Sequence, residues 1–149
     1  MTWTPHATVA VIVEDDHGRF LLVEEISGGK VVFNQPAGHI EEDELILNAA
    51  RRETLEETGW EVEPTYFLGV YTYKAPANGV TYHRFCYAAK PVRQVTSELD
   101  EGIIAPHWLT LNEIRALGST LRSPLVLQCI EDYRNGRQFP LDVVVDGQT

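Results

Sequence analysis

One stretch limits the folding choices of this chain more than any other. From Asp43 to Thr58 it reads D-E-L-I-L-N-A-A-R-R-E-T-L-E-E-T, followed by Gly59 and Trp60. Good helix formers dominate it and no proline interrupts it. Asp43 is a suitable N-cap type, and Gly59 suits the left-handed position just past a helix end. The pattern therefore predicts a helix over 43–58. Its period puts Ile46, Ala49 and Ala50, the residues expected to face a sheet, on the same side as Glu53, Glu56 and Glu57. The three carboxylates stand at i, i+3 and i+4 and continue that inward stripe. This is costly. Like charges repel at that spacing, the C-terminal end of a helix disfavours anions, and part-buried carboxylates need compensating positive charge. A hard divalent cation with oxygen ligands would supply it. A solvated acidic face, paired with Arg51 and Arg52 at the surface, is the plainer account of the same residues.

Around this helix the pattern alternates between strands and turns. Ala7–Val13 and Phe20–Val23 are β-rich runs separated by Asp15-Asp16-His17-Gly18, which reads as a hairpin. Ser27-Gly28-Gly29-Lys30 is a second turn, Val31–Asn34 a short strand stopped by Pro36, and Gly38–Glu42 a loop. Tyr66–Tyr73 and Val80–Ala88 are strands around an Asn78-Gly79 turn. Another short strand ends at Trp108. Leu111–Leu117 is helical, and Ser123-Pro124 opens a third helix, with Ser as cap and Pro at the first position, closing at Gly136. Pro140–Val145 reads as a final edge strand, and Gly147-Gln148-Thr149 as a loose tail. Strands and helices do not alternate as βαβ units. A mixed sheet with helices packed on it is expected.

With 149 residues the chain suits one compact domain, 1–149, with the tail loose from about residue 142. A net charge of −10 repels nucleic acid and anionic membranes, and no Lys/Arg run offsets it. No apolar run is long enough to span a bilayer, and Met1–His6 lacks the pattern of a signal peptide. The only cysteines, Cys86 and Cys129, make no disulfide framework and read as core residues. A reducing, cytoplasmic setting is expected. An acidic protein that handles an anionic substrate needs a metal or a few well-placed basic residues.

The spacing then decides between the two accounts of the helix. Gly38, Glu44, Arg52-Glu53, Thr54, Leu55, Glu56-Glu57, Thr58, Gly59 and Trp60 fall at the positions of the Nudix signature. Thr54 alone departs, standing where an aliphatic residue is more usual. It lies outside the carboxylate face. The chain thus resembles the Nudix family, and the resemblance implies an α+β fold, a Nudix-type α/β/α sandwich with a mixed sheet. It implies hydrolysis of a nucleoside diphosphate linked to another group. By position, Glu53, Glu56 and Glu57, with the carbonyl of Ala37, would ligate Mg²⁺, with Mn²⁺ able to substitute. Arg52 would hold a glutamate in place, and Glu44 would be structural. Proton removal from the attacking water falls to a glutamate of the cluster, Glu57 or Glu53, or to the loop before the Trp108 strand, where Glu98, Asp100 and Glu101 could supply a base or a further metal ligand and Glu101 is the first choice; an acidic surface loop is the plainer account.

Outer motifs point to one branch of the family. They are Pro5-His6, Val23-Glu24-Glu25, Asn34-Gln35-Pro36-Ala37, Leu121-Arg122-Ser123-Pro124, and Tyr133 through Leu141. Members of that branch release orthophosphate from nucleoside tri- and diphosphates, and are linked to the thiamine-precursor pyrimidine pyrophosphate and to thiamine diphosphate. Lys74, Arg84 and Arg122 are the cations expected to bind substrate; surface pairing or capping is the plainer role for each. Tyr71, Tyr73, Tyr82, Phe85 and Tyr87 either stack on a ring or simply pack in their strands. The expected partner is a small phosphate ester or anhydride, with no membrane or nucleic acid involved, and the chain is a monomer or homodimer. Three functions compete. One is the phosphohydrolase, acting on these compounds, on another nucleoside-diphosphate derivative or on RNA 5′ ends. The others are a non-catalytic nucleotide sensor and a simple cation-binding scaffold.

Overall fold

A computed structural model describes residues 2–147. Seven strands form two sheets, with three α-helices around them: β1 His6–Val13, β2 Arg19–Ser27, β3 Lys30–Asn34, β4 Ala37–His39, α1 Ile46–Thr58, β5 Trp60–Lys74, β6 Thr81–Gln94, β7 Ile103–Thr110, α2 Leu111–Leu117 and α3 Pro124–Arg134. One sheet is four-stranded and mixed, in the order β4-β1-β6-β5. There β1 runs parallel to β6 and antiparallel to β4. The other is antiparallel, in the order β3-β2-β7. Alternate residues of β1 enter two separate cores. Val9, Val11 and Val13 meet Ala49 and Ala50 of α1, while Ala10 and Ile12 meet Val126, Cys129 and Ile130 of α3. Helices thus cover both faces of the mixed sheet, as an α/β/α sandwich requires. No helix is long and apolar enough to cross a membrane among the described residues.

The turn at Asp15–Gly18 forms, with Asp15 accepting from the backbone of His17 and Arg19 and Gly18 at φ 73°. Its two strands do not form the expected hairpin. Beyond one bridge, Glu14 to Phe20, β1 and β2 part into different sheets. Both are buried along most of their length, and each takes partners on both of its edges. Asp43 is not the N-cap of α1. It sits at φ 61°, and the helix begins at Ile46 after Leu45, which makes no side-chain cap. The neighbouring Glu44 is committed elsewhere, accepting from the Glu41 N–H and from Arg52. The far end of α1 is as expected, with Gly59 at φ 76° and its N–H bonded to the Leu55 carbonyl.

The segment read as a loop at 38–42 begins as strand β4, paired with Thr8–Ala10. Strands β5 and β6 outrun their expected limits because three bulges absorb the irregular positions, Pro64 among them. No edge strand forms over 140–145. Phe139 exchanges both backbone hydrogen bonds with Phe67, and then Pro140, which has no N–H to continue the ladder, leads into a short 3₁₀ turn at Leu141–Val143. Of the tail read as Gly147-Gln148-Thr149, the last two residues lie outside the described residues, as does Met1. The Ser123 cap and Pro124 start of α3 are present, as are the full limits of α2.

Candidate active site

The geometry is built around Gly38 and α1. Strand β4 passes so close to α1 that a Cβ on Gly38 would collide with the Glu53 carboxylate. The need for glycine is therefore steric rather than conformational, since Gly38 is absent from the positive-φ glycines. We expect Gly38→Ala to fold but to displace Glu53. Its hydrolytic rate should fall by roughly 10²-fold, the order seen when a charge-stabilising group is lost. A steady-state assay on the variant with an unchanged melting curve tests this, and wild-type turnover would contradict it.

The preceding residue, Ala37, donates its N–H to Glu57 Oε1 at 2.9 Å. This bond and the α1 register fix the Glu57 carboxylate beside the loop that precedes Gly38. Burial pushes the Glu57 carboxyl up to about 8; the Ala37 N–H opposes the rise, and the negative charges of Glu25, Glu53 and Asp100 add to it. Glu53 and Glu56 are also raised, chiefly by desolvation, with Arg52 pulling both back. Arg52 joins this cluster to the loop before α1. Its Nε and Nη2 donate to the two oxygens of Glu44 at 2.7 and 3.0 Å, and Nη1 reaches Glu53 at 2.8 Å and Glu56 at 3.1 Å. Nη2 also donates to the His39 carbonyl at 3.0 Å. The bidentate Glu44 pair is the main reason that the guanidinium is held still more firmly in its charged form.

Two further carboxylates enter the cluster, Glu25 from an outer motif and Asp100 from the acidic loop. Glu25 on β2 is 7% exposed and acts electrostatically on Glu57. Successive side chains of β2 leave on opposite faces, so Glu24 turns to His107 while Glu25 follows Leu21 and Val23 inward. Asp100 donates its N–H to the Glu56 carbonyl at 3.0 Å, and its charge acts on Glu53, Glu56 and Glu57. Its neighbour Glu101, the residue expected from this loop, is exposed and makes no described bond to the cluster. The Glu24-Glu25 pair within the outer motif was the available signal for Glu25. For Asp100 only the acidic loop itself pointed the way.

The three expected cations lie in different settings. Arg122 reaches the cluster from the segment before α3 and pairs with Glu25, its side chain 48% exposed. Arg84 is 6% exposed; its guanidinium donates to Asn34 at 2.8 Å and Gln35 at 3.0 Å, with Cys129 Sγ at 3.8 Å. It braces the segment that leads into Ala37 and Gly38. Lys74 sits exposed at the end of β5, opposite Thr81, with no described contact to the glutamates. Tyr71 and Tyr87 are buried, and Tyr71 bonds Asp132. A cavity of about 780 Å³ lies elsewhere, bounded by Glu14, Asp16, Tyr66, Lys90 and Arg134, and contains none of the box residues.

Glu25, Glu53, Glu56, Glu57 and Asp100 present only oxygen donors and an excess of negative charge. By chemistry that donor set suits a hard divalent cation, although no three of these side chains are gathered closely enough to hold one among the described residues.

The NUDIX domain model matches residues 4–128. The chain belongs to the Nudix family and is a hydrolase acting on phosphoric anhydride bonds. It is 40% identical over 144 residues to Phosphatase NudJ of Escherichia coli strain K12, an alignment covering 95% of this chain and 92% of that protein. Phosphatase NudJ of Shigella flexneri matches at the same level. Among solved structures, a NUDIX hydrolase from Nitrosomonas europaea superposes with a TM-score of 0.93 at 43% identity, covering 97% of this chain and 98% of that one. The NUDIX domain of Shewanella oneidensis NrtR, complexed with ADP ribose, shares the fold at TM-score 0.72 and 20% identity, covering 90% of this chain and 89% of that one.

Proposed function

We propose that the enzyme hydrolyses nucleoside tri- and diphosphates and releases orthophosphate, with Mg²⁺ held by Glu53, Glu56, Glu57 and the Ala37 carbonyl. The observation that carries this reading is that Glu53 abuts Gly38 and Glu57 accepts from the Ala37 N–H, with Arg52 bonded to Glu53 and Glu56 and the charges of Glu25 and Asp100 acting on Glu57. A bound divalent cation supplies charge neutralisation to phosphate oxygens and acidifies water at neutral pH. The remaining work falls to the protein. Arg52 fixes the orientation of Glu53 and Glu56. Glu57, held by the Ala37 N–H, takes the proton from the attacking water. Glu101, the residue first expected in this role, stands in the same loop as Asp100 and is the second choice. Arg122 supplies a positive charge at the lip of the cluster, where a phosphate chain enters.

The similarity to a phosphatase over nearly the whole chain supports attack at the terminal phosphorus. Which phosphorus is attacked depends on how deeply the phosphate chain slides past Arg122. The pyrimidine pyrophosphate of the thiamine pathway and thiamine diphosphate belong in the same test panel as the nucleotides. RNA 5′ ends are disfavoured by the net charge of −10. Ion-exchange analysis of the first products from a nucleoside triphosphate tests the reading. Orthophosphate and the diphosphate are expected, followed by slower cleavage of the diphosphate. A monophosphate with pyrophosphate as first products would overturn the phosphatase reading and leave the family assignment intact.

A further inference from the structure

Three rings gather at one end of the mixed sheet, outside both cores. Strand alternation and the register of β4, β1 and β6 put His39, His6 and Tyr82 on one sheet face. His6 Nδ1 and His39 Nε2 lie 3.0 Å apart, within hydrogen-bond distance. The centroids of His6 and His39 are 5.1 Å apart, those of His6 and Tyr82 5.5 Å, and those of His39 and Tyr82 6.2 Å. All three contacts are edge-on. No described ring stacks flat on any of the three, so their faces are not taken up by one another. The Tyr82 hydroxyl accepts from Asn78 Nδ2 at 3.1 Å, which ties its ring to the β5–β6 turn. His6 and Tyr82 are half-buried and His39 is exposed.

Packing alone explains rings inside a core, but none of these belongs to either core cluster. Their position is also directional. Gly38 presents its Cβ position to Glu53, so the His39 ring leaves β4 on the other face, while the backbone carbonyl of His39 is bonded to Arg52 on the carboxylate side. Arg122 is near enough to act on His39, and it is bonded to Glu25, which acts in turn on Glu57. Rings, arginine and carboxylates thus follow one another.

We propose that His6, His39 and Tyr82 form a platform for a planar heterocycle, so that the enzyme selects phosphate chains that carry such a ring over bare polyphosphates. This deepens the reading of the site as a nucleotide phosphohydrolase and rests on it. With the ring on this platform and Arg122 along the chain, the phosphorus that meets the carboxylates is the one farthest from the ring. That order explains terminal attack without a deep pocket for the base, and it tolerates several heterocycles because every such ring has a π-face.

The test compares kcat/KM for ATP with kcat/KM for inorganic tripolyphosphate, both with Mg²⁺, in the full chain. Wild type should favour ATP by roughly tenfold or more, the order that one stacked ring contributes. Tyr82→Leu and His6→Leu, measured separately so that one folded variant suffices, should each cut that ratio roughly tenfold. The loss should come mainly from a higher KM for ATP, and Tyr82→Phe should keep the wild-type ratio. Absence of a preference in wild type, or ratios within about twofold of wild type in the folded leucine variants, would overturn the platform while leaving the hydrolase reading intact. Equal losses in Tyr82→Phe and Tyr82→Leu would also overturn it, because the hydroxyl and not the ring would then matter. Turnover of neither compound would refute the nucleotide reading itself, and the platform with it.

Discussion

Glu57→Gln is expected to fold, to lose roughly 10²-fold or more in kcat, and to melt higher than wild type in metal-free buffer at pH 8. The fold should survive because glutamine keeps the oxygen that accepts the Ala37 N–H at 2.9 Å. Turnover should fall because the amide neither takes a proton nor carries the charge that a cation requires. The gain in stability follows from proton linkage. In the folded, metal-free protein the Glu57 carboxyl is pushed up to about 8, against an ordinary value of 4.5. Between those values the unfolded chain is ionised while the folded chain still holds the proton. Raising the pH therefore removes stability, all of it present below about 4.5 and lost as pH passes about 8. Glutamine cannot ionise, so its melting temperature should drop less over that window. The difference at pH 8 should reach roughly 3 °C or more. Melting curves of both proteins across the window in EDTA check this part. Parallel curves would show that the Glu57 charge is not costly in the fold, and a kcat close to wild type would remove Glu57 from the chemistry.

The box was legible because its chemistry depends on local spacing. Glu53, Glu56 and Glu57 lie on one helix, so the helical period alone brings them together, and Gly38, Arg52 and Gly59 each have a local reason to be what they are. The contributions of Glu25 and Asp100 depend on events that a pattern does not carry. Glu25 lies on the inward face of β2 by ordinary alternation, but only the long-range packing brings it beside Glu57, and Asp100 is placed by a backbone bond to Glu56. The start of α1 was misread for a related reason. Asp43 has the chemistry of a cap, but the long-range claim of Arg52 on Glu44 sets the path of the loop. The β1–β2 hairpin failed because local turn chemistry cannot say which sheet each strand joins.

Thr54 is instructive in the opposite way. As the one departure from the usual box it looked peripheral, yet it is fully buried, and its hydroxyl donates to the Ala50 carbonyl at 2.8 Å. A threonine fills the aliphatic position because the helix backbone satisfies its polar atom. Arg84, for which sequence offers either a phosphate or a surface pair, is instead buried and donates to Asn34 and Gln35. Sequence marks where cations are, but not which of them the fold has already used.

We infer that the part-buried carboxylates of α1 exist to hold a divalent cation. Their raised pKa values show what the arrangement costs without one. A cation bound only by the folded state stabilises it by mass action and makes the ionised carboxylates favourable. The direct measurement is phosphate release from a nucleoside triphosphate by EDTA-treated protein, followed by titration with Mg²⁺ and, separately, Mn²⁺. Chelation is expected to abolish turnover, either cation to restore it, and the same additions to raise the melting temperature of wild type more than that of Glu57→Gln. Undiminished turnover in metal-free buffer would contradict the inference.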